Sequence, residues 1–163
     1  MIEYIIAAQL QAPHLSLEQT VRAALIDAYN CGEQRQECGG VIYRDDRHRH
    51  YSYSTPMTSG RAFGVDLSTL YVHVPVGMRV VADYHTHICS RHNKVFADFF
   101  SASDALINEG LHTVGYILSG CTGAIHRYDP EQDPQGDEEV DLSSGRKIFL
   151  TSGHVSGWID IFN

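Results

Sequence analysis

Two histidines separated by one residue, His85 and His87, are the side chains of this sequence best placed to bind a metal ion. They follow an apolar run over residues 80–84 that has the composition of a β-strand. Because successive side chains on a strand alternate between its two faces, both imidazoles should point to the same side. Two neutral imidazoles that converge at a strand end supply half of a divalent-metal site. Without further ligands, they would be two exposed loop histidines.

Asp104 is the candidate for a third ligand. It is the last residue of a Ser-x-x-Asp pattern that begins at Ser101, and such a pattern at a helix start is by itself a capping arrangement. A carboxylate in the first turn of a helix is also stabilised in its charged form by the helix dipole. Two histidines and an aspartate leave a fourth coordination position open, as in catalytic zinc sites. Capping and metal binding are compatible roles for this pattern.

Glu37 is the candidate for a general base. It lies just before two glycines and a run rich in β-formers, over residues 39–43. If that run pairs beside the histidine strand, the carboxylate reaches the proposed metal site, where it can transfer a proton. Taken alone, Glu37 would be an exposed loop acid. The order of Glu, His-x-His and Ser-x-x-Asp along the chain is what favours the catalytic interpretation.

The elements that would position these residues can be read from the hydrophobic periodicity. Ser16 and Gln19 form a capping box that predicts a helix to about residue 29, and a second helix is predicted over 102–109, ended by Gly110. The pattern predicts an α+β fold with a mixed, mostly antiparallel sheet flanked by helices. The β-rich runs lie at 37–43, 51–54, 79–84, 113–118 and 124–128, and short apolar segments at 146–150 and 157–162 are terminal strands or an extension.

Length and charge exclude several classes of protein. A chain of 163 residues predicts one domain, over residues 1–163. The net charge of −8 disfavours nucleic acid as a partner, since a basic surface is the usual footprint. No apolar run is as long as a membrane span, and the N-terminal residues lack the pattern of a secretory signal, so we expect no membrane partner and no signal peptide.

Two further features of the sequence concern its cysteines and its acidic C-terminal part. The four cysteines, Cys31, Cys38, Cys89 and Cys121, form no C-x-x-C pair, and we expect most of them to be buried free thiols. Residues 129–141 hold seven acidic residues together with proline and glycine, which predicts a solvated loop.

The combined pattern resembles a known motif. Glu37, the His-x-His pair and Ser101-x-x-Asp104 resemble the JAMM, or MPN-plus (JAB1-like), metalloprotease motif, and most of all its form in bacterial JAB-like domains. Those domains are found at the C-termini of Rhs and polymorphic toxins and of secreted effectors. The shared segments are Glu-x-Gly-Gly-x-Ile-Tyr, Ala-Asp-Tyr-His-Thr-His, Phe-Ser-x-x-Asp and Tyr-Asp-Pro, here at 37–43, 82–87, 100–104 and 128–130. The resemblance implies a JAMM/cytidine-deaminase-like fold over about 16–128, with 129–163 as an acidic loop and C-terminal extension.

The resemblance also implies a reaction. His85, His87 and Asp104 would bind one Zn²⁺ per chain, and a metal-activated water would hydrolyse a peptide or isopeptide bond. Glu37 would take a proton from the water and deliver it to the leaving amine, while Ser101 would hydrogen-bond the oxyanion or the water. The implied partners are a protein or peptide substrate, and a cognate immunity protein or a parent secreted chain. The protein would then be cytoplasmic, or delivered into a target cell by a specialised secretion system.

The loop after the histidines departs from the family pattern. Ile88 stands where the motif usually has proline, and the segment over residues 88–99 is longer than the compact family spacing. Cys89 and His92 in this loop would shape substrate access or bind a second metal. The substrate class stays open between a ubiquitin-like conjugate, a cell-wall peptide and another protein.

Two other interpretations of the histidine strand remain. Asp83-x-His85-x-His87 also resembles the opening motif of the PHP phosphoesterases, but that class places it near the start of a longer α/β barrel with more ligands. A non-catalytic JAMM-like interaction module is the second alternative. The metal content of the purified protein and the bond that it cleaves distinguish the three.

Overall fold

The fold is α+β, with helices flanking a mixed, mostly antiparallel sheet, as the sequence predicts. A computed structural model describes residues 15–32, 35–47, 49–60, 64–91, 94, 97–133, 138–142, 146–150 and 154–160. Within these residues the helices are α1 (Leu17–Cys31), α2 (Ser68–Val72) and α3 (Ala102–Leu111). The strands are β1 (Cys38–Asp45), β2 (His50–Tyr53), β3 (Met57–Thr58), β4 (Met78–His87), β5 (Val114–Ser119), β6 (Ala124–Tyr128), β7 (Glu138–Leu142), β8 (Arg146–Leu150) and β9 (His154–Trp158).

The main sheet has the strand order β2-β1-β4-β5-β6-β9, and β3 also pairs with β1. The strands β7 and β8 form a separate antiparallel pair. All pairs of the main sheet are antiparallel except β4 and β5, which run parallel. A parallel pair cannot be joined by a tight turn and needs a long crossover connection, usually with a helix. Here that crossover contains α3, so the helix that follows the His-x-His pair returns to pack on the sheet.

The two faces of the sheet are covered by different helices. The helix α1 begins at Ser16, whose side chain accepts the backbone N–H of Gln19 in the predicted capping box. It packs against the larger core cluster, on the face to which Ala82, Tyr84 and Leu118 point. The helix α3 packs against the other face through a smaller cluster of Phe100, Ala105, Ile117 and Tyr128. Because side chains alternate along β4, His85 and His87 lie on the α3 face.

The end of α3 differs from the prediction. The helix continues through Gly110 to Leu111, and His112 then takes the left-handed conformation with φ 51°. A single left-handed residue costs a non-glycine side chain only about 1–2 kcal/mol. The backbone N–H groups of His112 and Thr113 offset that cost by donating to carbonyl oxygens of the last helical turn.

The prediction of free thiols is wrong. Cys31 pairs with Cys38 and Cys89 pairs with Cys121, and the described residues contain no free cysteine. The paired Cα atoms lie 6.2 and 4.7 Å apart although the partners are separated by 7 and 32 residues. The second pair is brought together by the β4–β5 pairing, a tertiary contact that cysteine spacing in the sequence does not report.

The described residues of the acidic segment, 129–133 and 138–141, differ from the predicted solvated loop. Asp129 and Asp133 are buried, and Asp133 accepts the backbone N–H of Asp129 at 2.9 Å. Arg127 donates to the Asp129 carboxylate at 2.5 Å. Further along, β7 replaces part of the predicted loop and β9 adds a strand to the main sheet. In the part of the chain that the structure describes, no helix has the length and apolar character needed to cross a membrane.

Candidate metal centre

The strand β4 presents both histidines to one side at its C-terminal end, where they are buried. The neighbouring strand β1 places Gly39 directly opposite His85. A side chain at residue 39 would clash, because its Cβ would lie 2.6 Å from the Cβ of His85. A residue without a Cβ is therefore what lets β1 lie beside the imidazole of His85, and this accounts for a glycine directly after the Glu37–Cys38 pair.

Glu37 is held near the histidines by the same pair of strands. The register of β1 and β4, continued two residues beyond Gly39, puts Glu37 opposite His87 and on the same face of the sheet. The backbone N–H of Cys38 donates to Thr86 Oγ1 at 3.2 Å, which fastens the start of β1 to β4. Glu37 is buried, and its Oε2 accepts the backbone N–H of Gly64. The negative charge of Glu37 also helps to raise the pKa of His85.

Asp104 is positioned by the capping box at the start of α3. The N–H of Ser101 donates to Asp104 Oδ2 at 2.8 Å, and the Asp104 N–H donates to the Ser101 hydroxyl at 3.2 Å. The predicted capping role of this pattern is thus confirmed. The same carboxylate reaches the histidine pair, with Oδ1 3.7 Å from His85 Nε2 and Oδ2 3.7 Å from His87 Nε2. The capping box therefore holds the Asp104 carboxylate in place and leaves it close to both imidazoles.

Three donor atoms therefore converge, one each from His85, His87 and Asp104, and all lie within 4.8 Å of one another. The two Nε2 atoms are 3.0 Å apart. Donors that bind one tetrahedral Zn²⁺ at 2.0–2.1 Å are about 3.3 Å apart, so separations of 3.0 and 3.7 Å lie on either side of that value. The predicted ligands form a group that could hold a metal ion.

The electrostatics of the group already favour a cation. Burial lowers the pKa of His85, but Asp104, Asp83 and Glu37 raise it by more, to about 9. Burial likewise raises the pKa of Asp104, while the charges and hydrogen bonds of His85 and His87 bring that pKa well below its usual range. In the metal-free protein a proton on His85 thus offsets the carboxylates. A divalent ion bound by the same groups would displace that proton.

A second layer of polar side chains lies beside the ligands, and the sequence alone did not reveal it as a group. Asp83 lies two residues before His85 on the same face of β4 and is buried. Its Oδ2 accepts hydrogen bonds from the Tyr71 hydroxyl at 3.0 Å and from the Asn108 amide. Burial raises the pKa of Asp83 to about 6. The signal in the sequence was the spacing, since Asn108 follows Asp104 by one helical turn.

The Ser101 hydroxyl is engaged with Asp104, the candidate third ligand. The Ser101 hydroxyl donates to Asp104 Oδ2 at 2.6 Å and lies 2.8 Å from the Ser103 hydroxyl. A serine hydroxyl has one hydrogen to donate. In this arrangement that hydrogen orients the Asp104 carboxylate, and its predicted donation to an oxyanion stays a prediction.

The rim loop, residues 88–99, is attached to the β5–β6 hairpin near both of its ends. Cys89 is bonded to Cys121 and so has no thiolate to offer a second metal, while His92 lies outside the described residues. Asp98 lies 3.6 Å from His126 Nε2 on β6. The rim loop is therefore held near its first residues by the Cys89–Cys121 bond and near its last residues by the contact between Asp98 and His126.

Comparisons with protein-family models, with curated proteins and with solved structures find no match for this chain. Its function must be inferred from the chemistry of the site.

Proposed function

We propose that this chain is a zinc-dependent metallohydrolase of the JAMM type that cleaves a peptide or isopeptide bond. One observation carries the proposal: the Asp104 carboxylate converges with the imidazoles of His85 and His87. A buried carboxylate, Glu37, lies directly before the neighbouring strand β1, and the register of β1 and β4 points it to the same face of the sheet. Three ligands and a nearby base are the parts of a metal-dependent hydrolase.

We propose zinc as the metal, because the donor set is compatible with it and the resemblance to the JAMM motif implies it. Imidazole nitrogen suits zinc and several other transition metals, whereas sites made of carboxylate and carbonyl oxygen alone suit magnesium and calcium. Three protein ligands with a free fourth position are typical of catalytic and not of structural zinc. When bound, Zn²⁺ would supply Lewis acidity, which lowers the pKa of a coordinated water to about 7 and polarises a carbonyl.

Glu37 would move the proton. Its Oε2 is held by the N–H of Gly64, so Oε1 is the oxygen that would take a proton from the attacking water. The protonated carboxyl would then deliver the proton to the leaving amine as the peptide C–N bond breaks. Such transfer typically contributes about 10²–10⁴-fold to the rate. Ser101 would orient Asp104, and would contact the oxyanion only after its hydroxyl turns away from that carboxylate.

The number of ligands supports this reaction over the phosphoesterase alternative. PHP phosphoesterases hold two or three metals with many histidines and aspartates. Among the described residues, His85, His87 and Asp104 form the single group of three or more such side chains. Asp83, the first residue of the pattern shared with the phosphoesterases, lies outside this group and is hydrogen-bonded to Tyr71 and Asn108. We therefore propose one metal per chain.

The two disulfides bear on where the protein acts. Disulfides persist in oxidising compartments and are rare in the reducing cytoplasm. They support delivery out of the producing cell over residence in the cytoplasm. Among the candidate substrates they favour one met outside the cytoplasm, such as a cell-wall peptide, and the cognate immunity protein would protect that compartment in the producing cell.

Metal content and a base variant test the proposal. Purified protein should carry about one zinc per chain by elemental analysis, and His85→Ala should lose it. Glu37→Gln should keep the zinc and the fold but lose peptide hydrolysis by about 10²-fold or more. The matched control is Glu18→Gln, the same change in the first turn of α1, which should leave hydrolysis intact. A zinc-free wild-type protein, or a fully active Glu37→Gln, would refute the proposal.

A further inference from the structure

A buried polar cluster connects the helix that carries Asp104 to the strand that carries the histidines. Asp83 on β4 and Asn108 on α3 are 4% and 1% exposed. The Asn108 amide donates to Asp83 Oδ2, and the Tyr71 hydroxyl donates to the same oxygen at 3.0 Å. The Asn108–Asp83 hydrogen bond joins α3 directly to β4 in the interior, where the low local dielectric strengthens it.

The spacing of residues on the helix and on the strand places this cluster beside the proposed metal ligands. Asn108 follows Asp104 by four residues, so both side chains lie on the same face of α3. Asp83 precedes His85 by two residues, so both lie on the same face of β4. The Asp83–Asn108 bond is therefore one helical turn from the place where Asp104 meets the imidazoles. Two cross-connections between the same helix and strand fix their relative rotation, which a single one would leave free.

The sheet is also shaped to receive the amide. Gly115 on β5 is the register partner of Asp83. A Cβ at residue 115 would clash with the Asn108 amide group and would lie 3.0 Å from the Phe100 ring. The missing side chain leaves the room into which Asn108 extends. Three elements, β4, β5 and α3, thus meet at this amide.

The amide is an unusual choice if its purpose were stability alone. Asn108 Oδ1 is buried and has no hydrogen-bond partner among the described residues. A buried carbonyl oxygen without a partner costs free energy that an apolar residue of similar size would avoid. Besides a long contact of 3.5 Å with Thr113 Oγ1, the amide contributes the directional bond to Asp83, which joins the helix to β4.

We propose that Asn108 is a positioning residue of the metal site. By donating to Asp83, it sets the rotation and height of α3 at which the Asp104 carboxylate meets the two imidazoles. This inference rests on the proposed function, because it concerns the ligands of the metal proposed there.

Cobalt binding tests the role without any substrate. Co²⁺ added to the chelator-treated protein gives a visible absorption spectrum that reports ligand geometry, and titration gives the affinity. We expect Asn108→Leu to weaken Co²⁺ binding about 10–100-fold and to change the spectrum, as for other residues that orient metal ligands. The matched control is Tyr128→Phe, which removes a different hydrogen bond between α3 and the sheet, from the Tyr128 hydroxyl to Glu109 at 2.8 Å. It should leave the affinity and spectrum unchanged.

Exchanging the side chains of residues 83 and 108 tests whether the hydrogen bond itself matters, and not only the presence of a side chain at residue 108. In the double variant Asp83→Asn/Asn108→Asp, the amide is on β4 and the carboxylate on α3, so a bond of the same kind can form in reverse. The double variant should recover most of the Co²⁺ affinity that Asn108→Asp loses. Wild-type affinity and spectrum in Asn108→Leu, or a double variant no better than Asn108→Asp, would overturn the inference.

A measurement on metal-free protein keeps the two proposals apart. If Asn108 places Asp104, the cost of Asp104→Asn to the free energy of unfolding should be smaller in the Asn108→Leu background than in wild type. Additive costs in the presence of chelator would overturn the positioning role. Failure of wild-type protein to bind Co²⁺ would overturn the proposed function, and this cycle would still decide the positioning role.

Discussion

At the scale of single residues, the candidate metal site is a cluster of charged and ionisable side chains whose charge a bound proton or metal ion could balance. His85 and the Asp104 carboxylate are 3.7 Å apart, and the pKa of His85 is raised to about 9. Metal ligands must be deprotonated before they bind, so a proton on His85 and a metal ion compete for the same place. Competition of this kind makes both the stability and the metal affinity depend on pH, in opposite directions.

The metal-free protein should therefore lose stability as the pH rises. A histidine whose pKa is higher in the folded state than in the unfolded state stabilises the fold fully below the unfolded pKa of about 6.5, and that contribution is lost as the pH rises through about 9. Urea unfolding with chelator at pH 6.5 and pH 9.5 should show this loss in wild type and a smaller one in His85→Gln. Zinc affinity should rise with pH, by about tenfold per pH unit, until the pH approaches the His85 pKa of about 9, and should level off above it. Equal pH dependence of stability in wild type and His85→Gln would contradict the assignment.

Gly39 should resist substitution more than Gly110 does. A methyl group on residue 39 must displace β4, because its Cβ would lie 2.6 Å from that of His85. We expect Gly39→Ala to destabilise the protein by about 1–3 kcal/mol and to weaken zinc binding. The control is Gly110→Ala inside α3, where a Cβ meets nothing within 4 Å, and this change should stabilise by about 0.5–1 kcal/mol. Thermal unfolding and zinc titration of both variants show whether residue 39 tolerates a side chain less well than residue 110 does.

At the scale of elements, what could be predicted was local in sequence. The capping boxes at Ser16 and Ser101 were predictable because a cap and its partner are three residues apart. The common face of His85 and His87 was predictable because strand periodicity fixes it. The hydrogen bond between Asp83 and Asn108 could not be predicted, because it depends on how α3 packs on β4. The reason for a glycine at residue 39 likewise appears only once β1 and β4 are paired.

The two capping boxes allow a matched comparison. Ser16 caps α1, whereas Ser101 caps α3 and also donates to the carboxylate of Asp104. Ser16→Ala and Ser101→Ala each remove a capping side chain and should each cost about 0.5–2 kcal/mol of stability. Ser101→Ala also removes the hydroxyl that donates to Asp104 Oδ2, so it should weaken zinc binding about tenfold, whereas Ser16→Ala should not. Unfolding by urea and competition with a zinc chelator measure the two effects. Equal zinc affinity in both variants would assign Ser101 to capping alone.

At the scale of the whole molecule, the two disulfides flank the site from both sides. The Cys31–Cys38 bond joins the end of α1 to the start of β1, next to Glu37. The Cys89–Cys121 bond joins the rim loop to the turn between β5 and β6. The backbone N–H of Gly120 in that turn also donates to the His87 carbonyl at 2.8 Å. The start of β1, beside Glu37, and the segment that follows the histidines of β4 are thus covalently attached to neighbouring elements.

The two bonds should differ in what they contribute to stability. A disulfide restricts the unfolded chain more when it closes a longer loop, and here the partners are 7 and 32 residues apart. Loop closure predicts contributions of roughly 2 kcal/mol for Cys31–Cys38 and roughly 4 kcal/mol for Cys89–Cys121. Replacing both cysteines of a pair by serine and measuring unfolding in urea tests this order. A larger loss for the Cys31/Cys38 pair would mean that fixing the start of β1 beside Glu37 matters more to the folded state than loop length does to the unfolded one.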